Sequence, residues 1–123
     1  PIITSISGAP QEFLRHDITV KNFIRRRLGY PEVLGNRFMW LAGVFLVFTS
    51  FTYQSLDGFD EDYFMYVEDA DICRKIWYQN GDIIVSQNEM LAHHAQHASH
   101  RTIKHTYWHI KSLFIYWSKN WVK

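Results

Sequence analysis

Polar and apolar positions along this chain change period several times, and each change marks an element. From Asp17 to Leu28, Ile18, Phe23, Ile24 and Leu28 are interleaved with Lys21 and Arg25–Arg27, a spacing that predicts a short amphipathic helix. Gly29 stops it, and Pro31 keeps it stopped. Residues 38–49 (FMWLAGVFLVFT) are apolar almost without interruption. A run without alternation predicts a strand covered on both faces, as in the middle of an α/β sheet. Gly43 within that run marks a bend or a close approach by a neighbouring backbone or a ligand.

Beyond a turn at Gln54 to Gly58, a helix opens at Glu68 or Asp69, with Ile72, Ile76 and Trp77 on its apolar face and Asn80-Gly81 ending it. Asp82 to Val85 reads as a short strand, and Met90-Leu91-Ala92 as a second extended piece. From Arg101 to Lys123 the spacing is helical again: Tyr107, Ile110, Leu113, Phe114, Trp117 and Trp121 fall on one face. Residues 1–12, punctuated by Gly8 and Pro10, form an extended or loop lead-in. The alternation of helices and strands gives α/β as the fold class. Three segments follow: a basic lead-in with its helix (1–37), a central part (38–100) and an aromatic, basic C-terminal helix (101–123).

Composition sharpens this picture where it is uneven. The 123 residues are 47% hydrophobic and 17% aromatic, which excludes disorder and gives one domain, or part of one, with a core. The formal charge is only +1, yet residues 1–37 hold six basic against three acidic side chains, and nothing after Glu89 is acidic. With no nucleic-acid-binding signature and a near-neutral balance, a nucleic-acid partner is not expected. The Arg25–Arg27 run is first a solvated helix face, and only second a phosphate contact. A single cysteine, Cys73, excludes an internal disulfide and fits a reducing compartment. The longest apolar run, Met39 to Phe48, is about half a membrane span. Because the chain opens on Pro1, a piece of a longer polypeptide is expected.

Chemistry concentrates in two places. Between Asp57 and Asp71 stand seven carboxylates with no basic residue among them, interleaved with Phe59, Tyr63, Phe64 and Tyr66. A carboxylate at a helix start caps free backbone N–H groups. Held against apolar walls, the same group is a general base for a hydroxyl nucleophile. Spacing leaves both readings of Glu68-Asp69 open. It does exclude an EF-hand, because the acids lack the alternating ligand order of that loop. The second place is HHAQHASH, which puts His93, His94, His97 and His100 within eight residues after an expected strand. Imidazole at a strand end suits a divalent metal, but no second ligand motif accompanies these four. The C-terminal helix, with Trp and Tyr beside Lys104, Lys111 and Lys119, suits either core packing or a membrane interface.

The strings WLAGVFLVF, GFDEDYFMYVEDADICRKIW and HHAQHASHR, in this order, resemble the C-terminal half of bacterial family-2 glycosyltransferases, in particular the rhamnosyltransferase-like group that builds O-antigen and other surface polysaccharides. The resemblance covers roughly residues 38–117 and rests on the motif F-M-Y-x-E-D-x-D-x-C with Gly-Phe-Asp-Glu ahead of it. It implies the C-terminal portion of a GT-A fold: a mixed sheet with flanking helices and an amphipathic C-terminal helix. By the same resemblance Asp69 is the general base for inverting displacement, with Glu68 beside it. Asp71, Gly43, Trp40 and Arg101 fall in the matched strings as substrate contacts, and His93 and His97 as metal or diphosphate contacts. A divalent cation, Mg or Mn, would neutralise the leaving nucleoside diphosphate. The implied partners are a nucleotide-sugar donor and a saccharide or lipid-linked acceptor, met at the cytoplasmic face of the membrane by peripheral contact.

Two departures touch the donor side: Ser86-Gln87-Asn88 stands where the family usually has a Tyr-Pro pair, and a single Ser99 where a Ser-Ser pair is common. The family's nucleotide-binding units and their Asp-x-Asp are expected ahead of residue 1; Asp69-Ala70-Asp71 has those letters but falls in the acceptor-side motif. An acceptor-side fragment, inactive alone, is therefore the leading expectation. A non-catalytic remnant and a His-rich metal-binding module stand beside it.

Overall fold

The computed structural model describes residues 2–4, 14–31, 39–86, 90–92 and 103–120. Their elements run β1 (Ile2–Thr4), β2 (Leu14–His16), α1 (Val20–Arg27), β3 (Met39–Leu41), α2 (Ser50–Ser55), α3 (Glu68–Tyr78), β4 (Met90–Ala92) and α4 (Ile103–Asn120). The class is mixed α/β. In place of one mixed sheet, the described strands form two separate pairs. β1 runs parallel to β4 with Ile3 opposite Leu91, and β2 runs antiparallel to β3 with Arg15 opposite Trp40.

Local chemistry explains the helix ends. Thr19 caps α1, its Oγ1 accepting the Asn22 N–H at 3.1 Å. At the other end Gly29 takes φ +74°, and the Tyr30 N–H reaches back to the Arg25 carbonyl at 2.9 Å. α1 therefore starts at Val20, later than expected, because Asp17 is not part of it. α3 ends where Asn80-Gly81 place it: Asn80 is left-handed, and the Gly81 N–H closes on the Ile76 carbonyl at 2.9 Å. The short α2 is not visible in the hydropathy pattern, since none of its residues is buried; its signal is the Thr49 cap, which accepts from Thr52 N at 3.1 Å.

α3 is the centre of the packing. Ala70 and Cys73 face one cluster with Trp40, Tyr63, Val67, Leu113 and Tyr116. Ile72 and Ile76 face a second cluster with Leu56. Each fully buried aliphatic chain such as Ile72 is worth about 1.5–3 kcal/mol.

Three sequence expectations change here. The 38–49 run is a strand only over Met39–Leu41; beyond the turn at Gly43 burial alternates, with Leu46 and Phe48 half-buried and Phe45 and Val47 exposed. Such a segment is covered on one face, not two. Asp82 to Val85 likewise belongs to no ladder among the described residues. It runs extended with Ile83 and Val85 turned in and Ile84 turned out.

The third change concerns α4, which buries Ser112, Leu113 and Tyr116 and leaves Tyr107, Ile110 and Phe114 exposed. This helix is apolar nearly all round, so periodicity alone does not choose a face. The choice falls to polar groups: Ser112 Oγ donates to the Met65 carbonyl (2.8 Å), Tyr116 Oη to Asp17 (2.8 Å), and Trp117 Nε1 to the Ile18 carbonyl (2.8 Å). Trp121 lies outside the described residues.

Candidate active site

The candidate base sits where α3 begins, and the chain enters that helix through an uncommon conformation. Tyr66 and Val67 both have φ of 72°, a region that non-glycine residues occupy at a cost of about 1–3 kcal/mol each. Three anchors hold them there. Val67 is buried in the core, the Tyr66 hydroxyl hydrogen-bonds His105 Nδ1 on α4 at 2.9 Å, and Ser112 fixes the preceding carbonyl. No side chain caps α3 at Val67, so the first-turn carboxylates Glu68, Asp69 and Asp71 complement the helix dipole.

These three carboxylates take different directions. Asp69 reaches across to the turn after β3: its Oδ2 accepts the Gly43 N–H at 2.8 Å, while Oδ1 accepts the Ala70 N–H at 2.9 Å. Burial pushes its carboxyl above the ordinary aspartate range, and those N–H groups and the charge of Arg15 only partly offset the effect. Glu68 is also pushed up, by burial first and by the charge of Asp69 after it, and its Oε2 is buried without a hydrogen-bond partner among the described residues. Asp71 turns inward, buried, with Oδ1 accepting from the Tyr63 hydroxyl at 3.2 Å and Lys75 Nζ 3.7 Å from Oδ2. Burial raises its carboxyl too, against the pull of Lys75 and Tyr63. Asp71 thus ties the acidic loop to the helix. Two other acids of the cluster, Asp60 and Asp62, are bound by Lys119 of α4.

Gly43 is matched to Asp69 by size. A Cβ placed on Gly43 would lie 3.1 Å from the Asp69 Cβ, closer than ordinary contact, so a side chain there makes Asp69 shift by a few tenths of an ångström. Gly43→Val is expected to cost about 1–3 kcal/mol, the range for overpacking a fitted site. Urea unfolding checks the cost, and an unchanged midpoint would contradict it.

Trp40, three residues earlier, is buried with its Nε1 donating to the His16 carbonyl at 2.9 Å, and the Arg15 guanidinium lies 5.4 Å from its ring centroid. Trp40 is thus the floor beneath Arg15. Beside Gly43 a largely apolar groove of about 420 Å³ opens from Leu41 and Ala42, walled by Phe45, Phe48, Ile83 and Val85. Asp69 does not line it, so the groove flanks the carboxylate and does not contain it.

The structure brings together Asp69, Glu68, Gly43 and Trp40, and turns Asp71 into the core. His93, His97 and Arg101 lie outside the described residues. Among the described residues no group of three His, Cys, Asp or Glu side chains converges to hold a metal ion. Arg15 is the member of the site that sequence reading missed. Its only signal was a basic residue two positions before Asp17, and which cation faces Asp69 depends on the β2–β3 pairing.

Over 82 residues, 63% of this chain, the sequence is 33% identical to rhamnosyltransferase WbbL of Escherichia coli. The chain spans 30% of that protein's length. The match supports a glycosyltransferase-like relationship. No protein-family model matches the chain, and no solved structure matches it.

Proposed function

We propose that this chain forms the acceptor side of an inverting sugar-nucleotide glycosyltransferase of the GT-A type, with Asp69 as general base. One observation carries this reading: a carboxylate at a helix start is fixed by a backbone N–H from another element, at a glycine where an added Cβ would crowd the Asp69 Cβ. Oδ2 accepts the Gly43 N–H and Oδ1 the Ala70 N–H, and the carboxylate's four lone pairs exceed its backbone donors, which leaves one for a substrate proton. Burial raises the carboxyl, which strengthens the carboxylate as a base at neutral pH.

In the reaction Asp69 takes the proton of an acceptor hydroxyl as that oxygen attacks the anomeric carbon of the donor sugar. The bond from that carbon to the diphosphate oxygen breaks, the nucleoside diphosphate leaves with the electron pair, and the anomeric configuration inverts. Glu68 stands next in the chain and orients the acceptor. His93 and His97, the contacts that the resemblance offers to a divalent cation, lie outside the described residues, and the residues above act without one.

Rhamnose is the sugar favoured by the similarity to the E. coli enzyme. A lipid-linked saccharide met by peripheral contact with the membrane is the acceptor favoured by α4: Ile103, Tyr107, Ile110 and Phe114 form an exposed apolar stripe with Lys104 and Lys111 along its flank. No helix among the described residues is long and apolar enough to cross a membrane.

The test is transfer of labelled sugar from a panel of nucleotide sugars to washed membranes by the full-length protein, with the new linkage read by NMR. Inverted configuration and protein sedimenting with the membranes are expected. No transfer from any donor, or retained configuration, would sink the reading.

A further inference from the structure

Arg15 is the exposed centre of β2, and its guanidinium lies over the Trp40 ring. In the antiparallel pair it stands directly opposite Trp40, so the two side chains share one face of the ladder. The guanidinium lies over the indole, 5.4 Å from its ring centroid, and the Arg15 side chain is exposed. The following residues fix the strand: the His16 carbonyl accepts from Trp40 Nε1, and Asp17 is bound by Arg74 at 2.6 Å and by the Tyr116 hydroxyl at 2.8 Å. Arg15 makes no ion pair among the described residues, whose ion pairs run through Arg74, Lys75 and Lys119. Trp40 and Gly43 are three residues apart, a span of at most about 11 Å. Arg15 is therefore an exposed guanidinium over the Trp40 ring, without an ion pair among the described residues and near enough for its charge to act on the Asp69 carboxylate.

We propose that Arg15 is the phosphate-binding residue of this site, its guanidinium fork donating to two oxygens of a diphosphate on the substrate that Asp69 acts on. The assignment rests on the glycosyl-transfer reading for its substrate but not for its chemistry. A planar fork held over an aromatic face matches the paired oxygens of phosphate, and it carries a positive charge where the neighbouring carboxylates would otherwise repel that anion. Two sources carry such a group, the nucleoside diphosphate of the donor and the diphosphate of a lipid-linked acceptor. Arg15 recognises what they share.

The experiment measures binding of inorganic pyrophosphate to the full-length protein by calorimetry, for wild type, Arg15→Gln, Arg15→Lys and Asp69→Asn. Loss of a charged hydrogen-bonding pair predicts affinity lowered by about tenfold or more in Arg15→Gln. Arg15→Lys keeps the charge but not the fork and falls between, while Asp69→Asn binds at least as well as wild type. Arg15 is exposed, so equal thermal midpoints for these Arg15 variants are expected. Pyrophosphate binding that Arg15→Gln leaves unchanged, or its absence in wild type, overturns the proposal.

Steady-state transfer then separates the sources. A KM raised for the nucleotide sugar assigns the donor, and one raised for the lipid-linked acceptor assigns the acceptor. A fall in kcat with neither KM moved overturns the assignment. Should Asp69→Asn stay active while Arg15→Gln loses pyrophosphate, the base assignment fails and the phosphate site stands.

Discussion

Asp69→Asn is expected to lower sugar transfer by about 10²- to 10⁴-fold, the range for removing a positioned general base. The substitution keeps the shape of the site. The asparagine oxygen still accepts the Gly43 N–H, and the loss is confined to the Ala70 N–H, which then faces an amide donor. Donor binding is expected to survive. Full transfer by this variant would remove Asp69 from the mechanism, and loss of transfer in Glu68→Gln alone would move the base one residue back.

The same variant has a stability signature with a definite sign. Burial raises the folded-state pKa of Asp69 above its ordinary value of 3.8. A raised carboxyl contributes stability that is fully present below the unfolded pKa and is lost as pH rises through the folded pKa. Wild type therefore carries an unfavourable buried charge at neutral pH that the Asp69→Asn variant does not. Relative to wild type, Asp69→Asn should gain stability between about pH 3 and pH 7. Urea midpoints at the two pH values measure this, and a difference moving the other way refutes the burial argument. Such a trade of stability for a charged base is common at active sites.

The second large effect lies away from the chemistry. Asp17, Arg74 and Tyr116 join the segment between β2 and α1 to α3 and α4 through a buried ion pair, with Arg74 Nη2 2.6 Å from both Asp17 oxygens and its guanidinium 4.2 Å from the Tyr116 ring centroid. Asp17 is 7% exposed and Tyr116 fully buried. Removing Asp17 takes the buried carboxylate away from both Arg74 and Tyr116, so Asp17→Ala is expected to cost about 3–5 kcal/mol. Replacing both, as in Asp17→Leu with Arg74→Met, should recover much of that loss, because no charge is then stranded. Denaturant unfolding of the cycle decides it; a single-mutant cost under about 1 kcal/mol, the range of an exposed pair, would show that the brace is solvated.

That brace shows why Asp17 was hard to place from the sequence. An aspartate just ahead of an amphipathic stretch has the form of a helix start, and the helix it should open does exist. Thr19 took the cap instead, while Asp17 found Arg74 57 residues away and Tyr116 99 residues away. α4 is a similar case. Its length was legible to within a few residues, and of the face that hydropathy predicted Leu113 and Trp117 do pack inward, while Tyr107, Ile110 and Phe114 stay exposed. Ser112 and Tyr116, polar enough to be discounted, are the residues whose hydrogen bonds set the rotation.

The sequence alone determined what depends on neighbours in the chain: the carboxylates at the first turn of α3, the stop at Asn80-Gly81, the end of α1 at Gly29 and the extended piece at Met90–Ala92. Turn chemistry, capping and period act over a few residues, so their signals are local. Tertiary structure alone decided that Gly43 offers its N–H to Asp69, that Asp71 turns inward, that the run after Leu41 is covered on one face, and that Arg15 stands opposite Trp40. Burial and hydrogen-bond partnership are set by which distant segments close on one another, and composition and spacing do not encode that closure residue by residue.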